Sequence, residues 1–169
     1  MAMINQQISQ IKKWGIEEFI IITSPDFDLM IKDVTKKEFP NLKINYAVQD
    51  TPLGISHAFS KAEIFIDNND ILLLVLGDNF FGGNPLQDIN FKKFSENNGS
   101  IIFTKEVPNP EEFGVAEVDD GGEVFFIDEK PENPISNLAV VGLYVFDSSA
   151  MGKIKKLSPS KRGEYEITD

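Results

Sequence analysis

Cysteine is absent from the 169 residues, and histidine occurs once, as His57. The first absence excludes disulfides, thiolate metal sites and a cysteine nucleophile, and it fits a reducing cytoplasm. The second leaves no histidine pair for a metal. His57 lies within a helical pattern with no second ligand or triad partner in view, so a structural role is expected for it. Long apolar runs are also lacking. The longest, Ile71 to Leu76, is strand-sized, far short of the roughly 20 residues that span a bilayer. The N-terminus, Met1 to Gln6, turns polar too soon for a secretory core. Positive charge is scarce: 16 Lys and Arg against 27 Asp and Glu give a net charge of -11. That balance argues against a nucleic-acid partner. Free nucleotides stay compatible, because they need only a few local cations, backbone N–H groups or Mg²⁺. The acidity itself reads first as a solvated surface.

What is present is ordinary for one folded domain: 41% hydrophobic and 25% charged residues. Apolar residues at Ile4, Ile8, Ile11 and Trp14 have helical spacing, and Gly15 sits where a C-terminal cap belongs. Residues 18–23 read as a strand buried on both faces, 26–38 as a helix stopped by Pro40, and 43–48 as a strand. Residues 54–66 read as a helix, and 70–76 as the most apolar strand, suited to a sheet centre. A helix over 85–97 and a strand over 100–107 follow. This alternation is the pattern of a parallel sheet covered by helices. After Pro108 the rhythm changes. Residues 115–118 and 123–127 flank Asp119-Asp120-Gly121-Gly122 as a β-hairpin. A strand over 137–146 and a helix over 148–157 come next, and Glu164 to Asp169 looks like the opening of another helix. The Phe125-Phe126 pair of the hairpin is expected to pack. No repeat, low-complexity tract or linker divides the chain.

Three short motifs could carry chemistry. Gly77-Asp78-Asn79 ends the apolar strand, where ligands gather at the carboxyl edge of such sheets. Asp78 there either holds Mg²⁺ beside substrate phosphates or caps a turn. In Glu129-Lys130-Pro131 the carboxylate can accept from sugar hydroxyls and the lysine can neutralise a phosphate. The plain alternative is an exposed charged turn. In Arg162-Gly163-Glu164 the arginine can fork onto phosphate, or it is a surface residue.

Six blocks, in order along almost the whole chain, resemble the glucose-1-phosphate thymidylyltransferases, a family of sugar-1-phosphate nucleotidylyltransferases. They are the segment from Val48 to Phe59, Leu76 to Phe81, Phe113 to Glu117, Glu129 to Pro131, Ser136 to Tyr144, and Arg162 to Asp169. The resemblance implies a Rossmann-like α/β fold, mostly parallel, with helices on both faces and a β-hairpin excursion. It implies one domain over 1–169, with nucleotide binding in 1–107 and sugar-phosphate binding in 108–169. It assigns Gln49 and the backbone at Gly54 to the thymine base. Asp78 matches a Mg²⁺ ligand. Gly114, Glu129, Val140 and Tyr144 match the sugar pocket, and Lys130 and Arg162 match the groups that hold the sugar phosphate. The implied reaction joins dTTP to glucose 1-phosphate, releasing pyrophosphate, with Asp78, Lys130 and Arg162 carrying the catalysis. A cytoplasmic enzyme and a homo-oligomeric parent family are implied too, with no membrane partner.

The departures are equally legible. The family opens with a strand, a Gly-rich phosphate loop and a Pro-Lys pair, and Met1-Ala2-Met3-Ile4 aligns after that loop. A second metal-binding aspartate follows the point where Asp169 stands. Phe113 replaces a usual tyrosine, and Ile55 and His57 replace Leu and Gln in the base-reading segment. These differences leave dTTP and UTP both open as donors. They lead to the expectation of an incomplete catalyst with weak nucleotide binding, or of a sugar-phosphate-binding protein without turnover.

Overall fold

In the computed structural model, which describes residues 2–97 and 99–168, helices and strands alternate as expected up to β4. Helix α1 (Met3–Lys13) leads through Gly15, in the left-handed region at φ 94°, into β1 (Glu18–Thr23). Helix α2 (Pro25–Glu38) and β2 (Lys43–Val48) follow, and β2 pairs with β1 in parallel, Glu18 opposite Lys43 through Thr23 opposite Val48. Helix α3 (Ile55–Ser60) precedes β3 (Ile71–Val75). Helix α4 (Phe91–Asn97), β4 (Ser100–Glu106), the hairpin β5 (Gly114–Val118) and β6 (Val124–Glu129), β7 (Leu138–Asp147) and α5 (Ala150–Ile154) complete the order.

The α/β class holds, but the described ladders divide into two sheets. Parallel pairing is confined to β1 and β2, and the other five strands pair antiparallel. Strand β7 is the spine of the larger sheet. Along one edge it takes β4, and along the other it takes β3 opposite residues 143–147 and β5 at Ala139. Strand β3, expected at a sheet centre, therefore lies at the end of its sheet and bonds only to β7 among the described residues. Its side chains are covered nonetheless. Leu72 and Leu74 of β3, with Ile20 and Ile22 of β1, pack against one apolar cluster of Phe59, Ala62, Ala150 and Met151. Side-chain packing thus joins the two sheets where no hydrogen-bond ladder does. Strand β1 is correspondingly less buried than expected: of its residues Ile21 alone is buried, at 8% exposed.

Local hydrogen bonding shortens several expected helices. The stretch 85–97 breaks because Asn84 and Asn90 each bend the chain. Asn84 Oδ1 accepts from the Leu86 N–H at 3.0 Å, and Asn90 Oδ1 accepts from the Lys93 N–H at 3.0 Å, so the helix starts only at Phe91. Such side-chain bonds offer the backbone an alternative to a continuous helix. Residues 54–66 form α3 and a separate 3₁₀ turn at Glu63–Phe65. Residues 164–168 form no helix, because their backbone bonds elsewhere in the fold; Asp169 lies outside the described residues. Phe125 and Phe126, expected to pack, stand 62% and 49% exposed on β6, the last strand of the sheet path. No described helix is long and apolar enough to cross a membrane.

The polar face of α1 has a structural task. Gln7 Nε2 donates to the carbonyls of Leu76 at 2.7 Å and Asn79 at 2.9 Å, Gln10 Nε2 donates to the Phe81 carbonyl, and Trp14 Nε1 donates to the Gly83 carbonyl at 2.9 Å. These positions share one helix face, and together they hold the loop that follows β3.

The end of β7 is pinned by Asp147, which is 8% exposed and accepts from the backbone N–H groups of Gly99 and Ser149. Burial pushes its carboxyl up, but the hydrogen bonds from Ser149 and Gly99 outweigh it and hold the group below the ordinary aspartate value. A lowered folded value contributes stability at neutral pH that is lost as pH falls from about 4 through that value. Asp147→Asn is therefore expected to lower urea stability at pH 7 by about 1–3 kcal/mol. The deficit should shrink as pH falls below about 4 and the wild-type carboxyl takes up its proton; a deficit that stays constant as pH falls would contradict the assignment.

Candidate functional site

The ends of β5, β6 and β7 bring four of the sequence-assigned residues into one recess. Gly114 lies opposite Glu129 in the β5–β6 ladder. A Cβ on Gly114 would stand 3.0 Å from Glu129 Oε2, 3.0 Å from Thr168 Cγ2 and 3.8 Å from Val140 Cβ, so glycine leaves room for the carboxylate. Val140 and Tyr144 share one face of β7, 7% and 5% exposed, and form a cluster with Ala116. The Tyr144 ring stacks on Phe146 with centroids 5.8 Å apart. Burial pushes its hydroxyl up to about 12, and the Glu129 carboxylate adds to the shift. The phenol stays protonated and can donate.

Glu129 is half-buried at this recess. Burial raises its carboxyl above the ordinary value and Glu166 adds to that, while a hydrogen bond from Thr168, the Arg162 guanidinium and Lys130 act against it. Thr168 Oγ1 donates to Glu129 Oε2 at 3.1 Å. Arg162 does not stand free. Its guanidinium reaches Glu129 and Glu166 at 3.5 Å and Glu164 at 3.3 Å. These are long contacts on a part-exposed side chain, and an incoming phosphate could replace them. Lys130 is exposed and sits at φ 50°, a strained conformation for a non-glycine residue; its N–H donates to the Phe113 carbonyl at 3.0 Å. Backbone strain of this kind gathers at functional sites. Here it turns the chain sharply between the Glu129 strand and Pro131.

The Gly77-Asp78-Asn79 loop is seated on β7 by Gly142. The Leu76 N–H donates to the Gly142 carbonyl at 2.9 Å, in the interval between the β5 and β3 pairings. A Cβ on Gly142 would stand 2.7 Å from Leu76 Cγ and 2.8 Å from Asn79 Nδ2, so only glycine admits the loop. Asp78 is exposed there. Its Oδ1 accepts from Asn79 Nδ2 at 2.6 Å, and Oδ2 has no partner among the described residues. No group of three acidic or histidine residues able to enclose a metal occurs among the described residues. A single outward carboxylate fits Mg²⁺ of the kind held largely by substrate phosphates and water.

The segment around Leu53 to Ser56, which the resemblance assigns to the base, is clasped to the arginine segment. The Tyr165 N–H donates to the Leu53 carbonyl at 2.8 Å, the Ser56 N–H donates to the Tyr165 carbonyl at 3.2 Å, and the buried Ser56 hydroxyl donates to the Glu166 carbonyl at 2.9 Å. Gly54, at φ 98°, fits under this clasp; a Cβ there would meet the Tyr165 carbonyl oxygen at 2.6 Å. Gln49 Nε2 donates to the Gly54 carbonyl at 3.1 Å and contacts His57 Nδ1 at 3.0 Å. His57, expected to be structural, is thus bonded to the residue assigned to the base.

Thr168, Gly142 and Ser56 were absent from the sequence-assigned set. Each acts through contacts remote in the chain, so no local pattern marks them. Two cavities, of about 470 and 250 Å³, lie beside β4, β6 and α5; neither is lined by Gln49, Asp78, Glu129, Lys130 or Arg162. Tyr144 and Thr168 line the smaller cavity, whereas Gln49, Asp78, Glu129, Lys130 and Arg162 lie along strand ends and loops. We take the strand ends and loops as the site because the charged side chains gather there, whereas Glu123 is the one charged residue lining the larger cavity.

Two substitutions test this geometry. Gly54→Ala forces a side chain into a left-handed position, which costs about 1–3 kcal/mol by itself, and the clash with Tyr165 adds to it; urea unfolding should show a loss at least that large. Thr168→Val removes a hydrogen bond that favours the Glu129 carboxylate. Glu129 should then lose its proton at a higher pH than in the wild type, read from side-chain carboxyl ¹³C shifts; an unchanged titration would show that Thr168 does not act on it.

The profile of a family described as nucleotidyl transferase matches residues 1–169. The glucose-1-phosphate thymidylyltransferase of Neisseria meningitidis is 38% identical over 99% of this chain and 58% of its own length. A low-salt glycan biosynthesis nucleotidyltransferase of Haloferax volcanii is 42% identical over 76% of this chain and 35% of its own length. Among solved structures, one from Bacillus anthracis, described as a glucose-1-phosphate thymidylyltransferase in complex with sucrose, superposes with a TM-score of 0.83 at 33% identity. It covers 99% of this chain and 67% of that one. A UDP-glucose pyrophosphorylase shares the fold, with a TM-score of 0.78 at 24% identity. The chain spans 58% of the length of the thymidylyltransferase it matches in Neisseria meningitidis.

Proposed function

The chain belongs to the nucleotidyl transferase family, and we propose that it carries the base-reading, metal-binding and sugar-binding parts of a glucose-1-phosphate thymidylyltransferase. The observation that carries this reading is the recess of Gly114, Glu129, Val140 and Thr168, with Arg162 on its rim. It offers a half-buried acceptor for sugar hydroxyls next to a cation for the sugar phosphate. In this reading residues 1–107 bind the nucleotide and 108–169 bind the sugar phosphate. Gln49 and Gly54 face the base, and Tyr144 donates from the wall of the sugar pocket.

The reaction needs no covalent enzyme intermediate. A phosphate oxygen of glucose 1-phosphate attacks the α-phosphorus of dTTP, the bond from that phosphorus to the bridging oxygen breaks, and pyrophosphate leaves with the electron pair. Both substrates are anions, so the task is to bring them together in line and to offset their repulsion. Lys130 and Arg162 do this on the sugar phosphate, Arg162 by exchanging its carboxylate contacts for phosphate oxygens. Asp78 would hold Mg²⁺, which when bound draws charge from the triphosphate oxygens. Glu129 orients the sugar by accepting from its hydroxyls, and analogues lacking those hydroxyls leave the carboxylate unpaired. In this reading the enzyme works in the cytoplasm as a homo-oligomer.

Calorimetric binding to the purified chain tests the reading directly, alongside pyrophosphate release with glucose 1-phosphate and either dTTP or UTP. In Mg²⁺ the chain is expected to bind dTTP and glucose 1-phosphate, with slow turnover by itself. Asp78→Asn should weaken dTTP in Mg²⁺ by about tenfold, equivalent to about 1.4 kcal/mol, and leave glucose 1-phosphate unchanged. Absence of binding to both ligands would overturn the proposal.

A further inference from the structure

The turn that carries Asp78 has both its ends fastened by one buried side chain. The Asn79 N–H donates to the Leu76 carbonyl at 3.1 Å, which closes a turn over residues 76–79. Gln7 Nε2 donates to that same Leu76 carbonyl at 2.7 Å and to the Asn79 carbonyl at 2.9 Å. Both partners can only accept, so the NH₂ end of Gln7 faces the turn and both its hydrogens are spent there. Gln7 is 4% exposed and sits in α1 with the buried Asn5, Ile8 and Ile11. An amide at such a position costs free energy unless it is hydrogen-bonded. Here both bonds go to the residues that bracket Gly77-Asp78.

The hold passes to the Asp78 carboxylate through Asn79. The Gly142 N–H can only donate, and it donates to Asn79 Oδ1 at 3.4 Å, so Asn79 Nδ2 is the end that meets Asp78 Oδ1, at 2.6 Å. With its backbone held by Gln7 and its side chain by Gly142, Asn79 occupies one oxygen of Asp78 and leaves Oδ2 for a ligand. No hydrogen bond from outside the turn reaches Gly77 or Asp78 among the described residues. The place of Asp78 is therefore set by the ends of its turn. Gln10, the next residue on that face of α1, holds a later part of the loop: its amide pairs with both the N–H and the carbonyl of Phe81.

We infer that Gln7 is a positioning residue of the metal site: by fastening the turn of residues 76–79 it sets the direction of the free Asp78 oxygen, and so makes triphosphate binding depend on a divalent cation. The inference rests on the proposal that Asp78 holds Mg²⁺. That ion demands near-octahedral geometry and takes few protein ligands beside water and phosphate oxygens. A single carboxylate on an exposed loop serves it well only when the loop is already in place. Groups that orient a metal ligand in this way typically contribute about 10–100-fold to metal affinity.

The test is the ratio of dTTP affinity in Mg²⁺ to dTTP affinity in EDTA, measured by calorimetry on the whole chain, with urea stability followed alongside. Gln7→Met keeps the bulk and removes both hydrogens. It should shrink the ratio by about tenfold, as Asp78→Asn should, and leave the affinities for metal-free dTTP and for glucose 1-phosphate unchanged. Gln7→Ala admits water to the freed carbonyls, so it should loosen the turn at less cost in stability and shrink the ratio as much. Gln10→Met removes bonds to Phe81 in the same loop; it should lower urea stability and keep the wild-type ratio. An equal fall in the ratio for Gln10→Met and the Gln7 variants would mean that Gln7 only keeps the loop ordered, and would overturn the inference. Failure of both Gln7 variants to fold would show a purely structural role and overturn it too. A wild-type ratio in Gln7→Met beside a reduced one in Asp78→Asn would overturn it while leaving the metal site in place. A ratio that Asp78→Asn does not change would remove the proposed metal site, and this inference with it.

Discussion

Both edges of β7 carry hydrogen-bonded neighbours, and at Gly142 the neighbour is a loop instead of a strand. A sheet strand must pair its backbone groups or present them to water. Here the short gap between β5 and β3 is filled by the turn after β3, and the missing side chain of Gly142 lets that turn come close. The rest of the site depends on this seat. It brings the Asp78 loop against the strand that also carries Val140 and Tyr144. Helix α1 then secures the same loop from the opposite side of the sequence through Gln7, Gln10 and Trp14.

A second tie works across the chain. The clasp of Leu53 and Ser56 with Tyr165 and Glu166 joins a loop near the start of α3 to the segment carrying Arg162 and Thr168. The segment proposed to read the base and the segment proposed to hold the sugar phosphate are thereby built on one hydrogen-bonded unit. Its charge balance is also distinctive. Arg162 touches three carboxylates, those of Glu129, Glu164 and Glu166, in a protein of net charge -11. An anionic ligand that takes the guanidinium must leave those carboxylates with other partners. Thr168 already supplies one to Glu129, and the Ser160 hydroxyl supplies another to Glu166 at 2.8 Å. Glu129 and Glu166 therefore stay hydrogen-bonded even when the arginine moves, and Glu164, which is part-exposed, is left to water.

Much of this was readable in order along the chain. The alternation of apolar runs and helical spacing identified every strand and the α/β class, because burial imposes a period that sequence displays. The motifs around Asp78, Glu129 and Arg162 fell at element ends, and the structure leaves them at or near the surface. The failures were local and physical. Asn84 and Asn90 cut a helix by bonding to nearby N–H groups, and the apolar character of β3 came from side-chain packing and not from a central place in its sheet. Phe125 and Phe126 are as apolar as any core pair, yet they stand out on β6.

The sequence by itself determined the element types, the acidic balance, and which residues could accept, donate or bind a cation, because those properties belong to single side chains and their near neighbours. Only the tertiary structure decided that Thr168 would meet Glu129, that Gly142 would admit the Asp78 loop, and that His57 would stand against Gln49. Hydrogen bonds and close approaches act over about 3 Å, and the chain brings Thr168 to Glu129 across 39 positions of sequence. The direction of each bond follows from the fold, since a carbonyl at Gly54 accepts from Gln49 only after the backbone there has been turned to face it.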